Sequence, residues 1–173
     1  MGRAVISADY VQLMARYNRW MNEMLYTAAD RLPDEIRKAD RGAFFRSIHS
    51  TLNHLIWGDA MWLGRFTKGT PLAKDYPQAA VGQDIYESWE SLKAARRNMN
   101  DDIDAWSASI TSTWLQSDFT WYSGITKSTR VKPGWVLASH FFNHQTHHRS
   151  QVGTLLMQQG IDPGVTDLAM MPD

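Results

Sequence analysis

The stretch His140-Phe-Phe-Asn-His144-Gln-Thr-His147-His148-Arg-Ser-Gln151 packs four of the chain's six histidines into nine residues, inside a run whose apolar period is that of one long helix. Pro133 suits the first turn of that helix and Gly160 its stop, which predicts a span from Pro133 to about Gln159. With His144 set at 0° and a step of about 100° per residue, Leu137, Phe141, His148, Val152 and Leu155 all fall between roughly 0° and 80°. His144 and His148 therefore both stand on the apolar stripe. His147 falls at about −60°, on a polar flank with Asn143, Ser150, Gln151 and Thr154, and His140 at about −40°, one turn before the pair.

Two neutral imidazoles stacked on an apolar stripe need partners for four ring nitrogens, and one cation satisfies two of them at once. A helix supplying two ligands needs a third from elsewhere. The remaining histidines are His49 and His54. His54 has the small or flexible neighbours Ser47, Thr51, Gly58 and Met61, which leave room for an ion and its solvent, whereas His49 lies on a different side of its helix. The pattern favours His54.

Working outward, the chain divides into further helical segments. Ser7 is a suitable N-cap for a first helix reaching about Leu32, where Pro33 ends it. Its stripe is Leu13, Tyr17, Trp20, Met24 and Ala28, with Asn18 and Asn22 read as surface amides at the edge. A second helix is expected from about Ala43 to Phe66, with Phe44, Ile48, Leu52, Leu55, Trp62 and Phe66 facing inward. Asp59 falls on that stripe, and a buried carboxylate must be paired. After a loop from Pro71 to Gly82, a heptad-like seam from Ile85 through Trp89, Leu92, Arg96, Met99, Ile103 and Trp106 to Ile110 predicts a third helix over Asp84 to Trp114. Arg96 interrupts it, placed either to meet Asp59 or to snorkel to solvent. Short β-prone runs around Gly124, between Ser117 and Lys132, read as a hairpin. The tail from Ile161 is apolar enough to pack back on the rest.

The expected architecture is all-α: a four-helix bundle with a small β-hairpin inserted before the last helix, spanning residues 1–173 as a single domain. Lys+Arg and Asp+Glu are equal at 18 each, and no basic block is present that would neutralise a run of phosphates, so nucleic acid is not an expected partner. No apolar run is long enough to span a bilayer and the N-terminus lacks a secretory signal's apolar core, which makes a cytoplasmic location the expectation. The absence of cysteine excludes thiolate ligands and a cysteine nucleophile from this chain. A thiol taking part in its chemistry has to arrive as a small molecule.

Asn143-His-Gln-Thr-His-His-Arg-Ser-Gln151, His54-Leu-Ile-Trp-Gly-Asp59-Ala-Met-Trp62, Tyr17-Asn-Arg-Trp-Met-Asn22 and Gly160-Ile-Asp-Pro-Gly-Val-Thr-Asp167 together resemble the DinB-like (DinB/YfiT) proteins. Ser150 stands where the family usually has glycine. The resemblance implies a bundle of up-down-down-up topology, often a homodimer, with one divalent ion on three histidines; carried over by position these are His54, His144 and His148, and not His140 or His147. Relatives include transferases that join low-molecular-weight thiols such as bacillithiol or mycothiol to electrophiles, a mycothiol-dependent isomerase and iron-dependent domains of sulfoxide synthases.

Three histidines with an open position suit a catalytic ion, zinc or nickel above manganese or iron. The functional expectation is a metal-dependent enzyme that activates a low-molecular-weight thiol (as an S-transferase) or water (as a hydrolase) against a small electrophile, with Asp59, His140 and Arg149 as candidates for orientation or substrate contact. The alternative is a non-catalytic metal-binding bundle acting as sensor, store or interaction module, for which a fourth ligand such as His140 would speak. Histidines without any metal form a third reading.

Overall fold

The computed structural model describes residues 4–172. Four long helices carry the architecture: α1 (Ala8–Asp30), α3 (Ile48–Phe66), α4 (Trp89–Ser109) and α6 (Gly134–Met157), with short helices α2 (Asp34–Lys38) and α5 (Ser112–Gln116) in the connections. Ser7, Ser47, Ser88 and Thr111 cap α1, α3, α4 and α5, each side chain accepting a backbone N–H of the first turn. Gly160, at φ +72°, closes α6 in the left-handed conformation that glycine adopts without cost.

Side-chain pairs along the helices settle the topology. Arg19 bonds Asp101 and Asp104 near the end of α4, whereas Asp30 meets Lys93 and Trp89 at its start, so α1 and α4 are antiparallel. Asp59 meets Arg96 and, further on, Phe66 stacks on Trp106, so α3 and α4 run parallel. His54 meets His148 while Phe66 meets Phe141, so α3 and α6 are antiparallel. The order is up-down-down-up, with α1 packed on α4 and α6, and α3 on the same two. Parallel neighbours α3 and α4 require a long return connection, residues 67–88, and it runs the length of the bundle.

That connection is tied down by polar contacts. His49 Nε2 lies 2.9 Å from the Tyr86 carbonyl oxygen, Asn53 bonds both the N–H and the C=O of Tyr86, and Trp57 Nε1 donates to the Ala79 carbonyl at 2.9 Å. At one end of the bundle Phe66, Trp106, Trp114, Phe119 and Phe141 form an aromatic cluster with ring centres 5.1 to 6.3 Å apart. Each such burial contributes about 1.5–3 kcal/mol. Phe119 belongs to a two-stranded antiparallel hairpin, β1 (Asp118–Ser123) and β2 (Ser128–Pro133), whose Asp118 pairs with Pro133 immediately before α6.

Several expected boundaries and faces shift. The second long helix starts at Ile48 rather than Ala43, because residues 43–46 form a tight turn with Arg46 at φ +64°; Phe44 is 81% exposed. The seam expected from Ile85 to Ile110 is helical only over Trp89–Ser109; Ile110 is extended and a separate α5 follows. On α1 the buried seam is Val11, Ala15, Asn18, Asn22, Leu25 and Ala29, and of the expected stripe Leu13, Tyr17, Trp20 and Met24 are only half-buried. Asn18 and Asn22 are thus core residues, at 1% and 2% exposure. Of the tail, Ile161 packs on the core and Tyr17 Oη donates to the Thr166 carbonyl at 2.6 Å, while Val165, Leu168 and Met170 remain exposed. No helix among the described residues is long and apolar enough to cross a membrane.

Candidate metal centre

The antiparallel contact of α3 with α6 brings His54 against His144 and His148. Their ligating nitrogens lie within 4.8 Å of one another, and His54 Nε2 is 3.1 Å from His144 Nε2. Two nitrogens bound to one tetrahedral zinc at about 2.0–2.1 Å are about 3.3 Å apart, so the observed spacing is close to that of a ligand pair. His148 presents Nε2 because its Nδ1 is engaged by Gln151 Oε1 at 2.8 Å, an outer hydrogen bond that fixes the ring's tautomer. The donor set fits a divalent ion.

Room for the cluster depends on one glycine. A Cβ on Gly58 would stand 2.7 Å from His144 Cε1, so any side chain there displaces the His144 ring. His54 is oriented by stacking instead of by an outer hydrogen bond: Phe45 covers one face, with ring centres 3.8 Å apart, Trp57 stacks at 5.4 Å, and its Nδ1 is buried without a partner. His140 lies at the edge, exposed, its ring 6.1 Å from His144 and 5.3 Å from Trp62, which also touches Trp121 of the hairpin. The cluster does not include it.

Burial lowers the pKa of all three imidazoles by disfavouring the charged form, to about 4 for His54 and about 3 for His144, with each ring also repelling its neighbours' protons. Neutral imidazole at physiological pH is the form that ligates metals.

The other candidate residues have different surroundings. His49 holds the Tyr86 carbonyl and is no part of the cluster. His147 is exposed. Asp59 pairs with Arg96 at 2.6 Å and accepts from Gln145 at 2.8 Å, so the arginine meets the acid and does not snorkel out. Arg149 is buried toward α1, where it donates to Asn18 Oδ1 and Thr146 Oγ1. Phe45 is the site residue that periodicity missed, since it lies in a non-helical turn.

Four long helices in this order, with three histidines of two of them converging in the interior, define a helical bundle with a candidate divalent metal centre. The chain belongs to the DinB family, whose sequence model matches residues 3–173. It is similar to Protein DinB of Bacillus subtilis (strain 168), 24% identical over 178 residues that cover 94% of each chain.

Proposed function

We propose that the protein is a metal-dependent enzyme in which His54, His144 and His148 hold one divalent ion, zinc or nickel in the first place, and that it adds an external thiol or water to a small electrophile. The 3.1 Å approach of Nε2 atoms from two different helices carries this reading: without an ion one neutral ring has to donate its N–H to the other, whereas a cation takes both nitrogens as ligands together with His148. Such an ion lowers the pKa of bound water or of a bound thiol so that either is a nucleophile near neutral pH. Three ligands leave a position for solvent or substrate, the arrangement of catalytic more than of structural sites.

This chain's own residues supply the rest. Gly58 keeps space for His144, Gln151 holds the His148 tautomer, and Phe45 and Trp57 fix the plane of His54 while excluding water from that side. Trp62, Trp121 and His140 form an aromatic flank beyond His144, a surface suited to an electrophile with a flat apolar part. A chain without cysteine draws its thiol from the small-molecule pool, which the cytoplasm keeps reduced. A homodimer belongs to the same reading, with the half-buried Leu13, Tyr17, Trp20 and Met24 of α1 as apolar surface for it.

The test is elemental content of protein purified without an affinity tag, followed by a screen of thiol conjugation and hydrolysis with and without chelator. One ion per chain and chelator-sensitive turnover are expected, both lost in His144→Ala. Turnover that survives in metal-free protein overturns the reading; stoichiometric metal without any turnover returns the chain to the sensor, store or interaction class.

A further inference from the structure

A second cavity, of about 430 Å³, lies between α1, α6 and the C-terminal segment. Its α6 residues include Thr146, Arg149, Gly153 and Met157, which stand roughly 140–220° around the helix from His144, so it opens on the side away from the histidines. Met21 and Leu25 of α1 and Met157 of α6 give it apolar walls, and residues 162–166 form one side, held by the Tyr17 Oη bond to Thr166.

The informative lining residue is Arg149. It is 4% exposed, its guanidinium donates to Asn18 Oδ1 and to Thr146 Oγ1 at 3.2 Å, and it lies over the Tyr17 ring at 5.5 Å. The ion pairs among the described residues leave it out. Asp59, the acid buried within the bundle, is engaged by Arg96 and Gln145. Asp162 lines the cavity as well, but it is exposed and accepts the Gly164 N–H at 2.8 Å. Buried cations are ordinarily paired, and a buried guanidinium without an acid beside an apolar cavity is the arrangement that a carboxylate ligand completes.

We propose that this cavity is a binding site, separate from the histidine centre, for a small organic monoanion with an apolar chain: a carboxylate of about eight carbons, its head on Arg149 and its chain along Met21, Leu25 and Met157. A single cation in apolar walls matches one negative charge, and the planar guanidinium fork matches a carboxylate. A multiply charged inorganic anion lacks the counter-charge it needs, since Arg149 is the one cation among the described residues of the lining and Asp162 is an acid.

Titration calorimetry of the full chain with sodium octanoate, 1-octanol and inorganic phosphate tests this. Saturable one-to-one binding of octanoate is expected, with octanol at least about tenfold weaker, the effect of one charge-assisted contact, and phosphate inert. Arg149→Gln loses the preference for octanoate over octanol. Gly153→Leu fills the cavity from a position where a Cβ meets nothing within 4 Å, so it abolishes binding while the protein melts no earlier than wild type. His144→Ala binds octanoate unchanged, which separates this site from a carboxylate attached to an ion at the histidines. Equal affinity for octanol, unchanged binding in Gly153→Leu, loss of binding in His144→Ala, or no saturable binding each overturns the assignment.

Discussion

The layer around Asp59 and the cluster around His54 are neighbours on α3, both buried and both polar, and they are built in opposite ways. Asp59 meets a cation from α4 and an amide donor from α6, so its charge is answered within the fold, although Arg96 Nε and Nη2 and Gln145 Oε1 have no partners. Burial pushes the Asp59 carboxyl above the ordinary carboxylate range while Arg96 and Gln145 pull it back. The histidine cluster brings three bases together with no acid among them, and burial pushes all three below the ordinary imidazole range. A polar group that the fold itself completes is architecture; one that it leaves incomplete points to something delivered from outside.

The largest expected effect breaks this comparison if it fails. Asp59→Ala leaves the Arg96 guanidinium buried and uncompensated, and such losses cost about 3–5 kcal/mol. Denaturant unfolding is expected to show a shift of that size. The parallel substitution His144→Ala, measured in metal-free protein, removes one of two mutually facing neutral rings and is expected to cost much less. Equal losses would mean that the histidines are fold architecture too, and the distinction between the two regions would be gone.

Next in size is Gly58→Ala. Its Cβ, 2.7 Å from His144 Cε1 and 3.2 Å from Nδ1, forces that ring out of line with His54. Metal affinity is expected to fall roughly 100-fold or more, at or above the upper end for a lost outer-shell partner. The Asp59 layer on the neighbouring residue is left in place, so unfolding of the metal-free protein should change little. Competition with a chromophoric chelator measures the first quantity and a denaturant titration the second.

How far this division was legible in the sequence follows from what periodicity encodes. His144 and His148 were readable because a four-residue step on one helix fixes their common face without reference to the rest of the fold. The pairing of Asp59 was readable as a requirement, and its partner Arg96 as one of two options. The burial of Asn18, Asn22, Gln145 and Arg149 was not, because one apolar stripe describes one contact and each helix of this bundle has two neighbours. Phe45 was hidden for another reason. It reaches His54 from a turn, where no period exists, while its neighbour Phe44 had the spacing expected of the helix and points to solvent. The hairpin before α6 was visible from its composition, whereas the break at Ile110 carries no proline or glycine to announce it.

Gln151 sharpens the comparison further. It lies on the polar flank of α6, yet its Oε1 accepts a hydrogen bond from His148 Nδ1–H at 2.8 Å. Gln151→Ala is expected to weaken metal binding about 10–100-fold through loss of the tautomer and ring orientation. Folding of the metal-free protein should be nearly unaffected, since Gln151 is only half-buried. If metal affinity stays unchanged, the Gln151 bond does not hold the His148 ring for an ion, and that ring is fixed by its packing as His54 is.

The smallest effect concerns pH, and its sign separates the two regions again. The His54 and His144 pKa values are depressed by burial from an ordinary value of 6.5 to about 4 and about 3, so between those limits the unfolded chain binds more protons than the folded one. Stability of the metal-free protein is therefore complete above about pH 6.5 and declines as pH falls through the window down to the folded values. A bound ion strengthens the dependence, because protons and metal compete for the same nitrogens. Asp59 contributes with the opposite sign: a carboxyl raised by desolvation loses stability as pH rises through its folded pKa. Unfolding of wild type and of His144→Ala, compared between pH 7 and pH 5 without metal, should show a shallower decline in the variant, which has one fewer buried base to protonate. Identical slopes would mean that His144 takes up its proton alike in the folded and the unfolded chain, so that burial does not hold it neutral and the contrast with the Asp59 layer is lost.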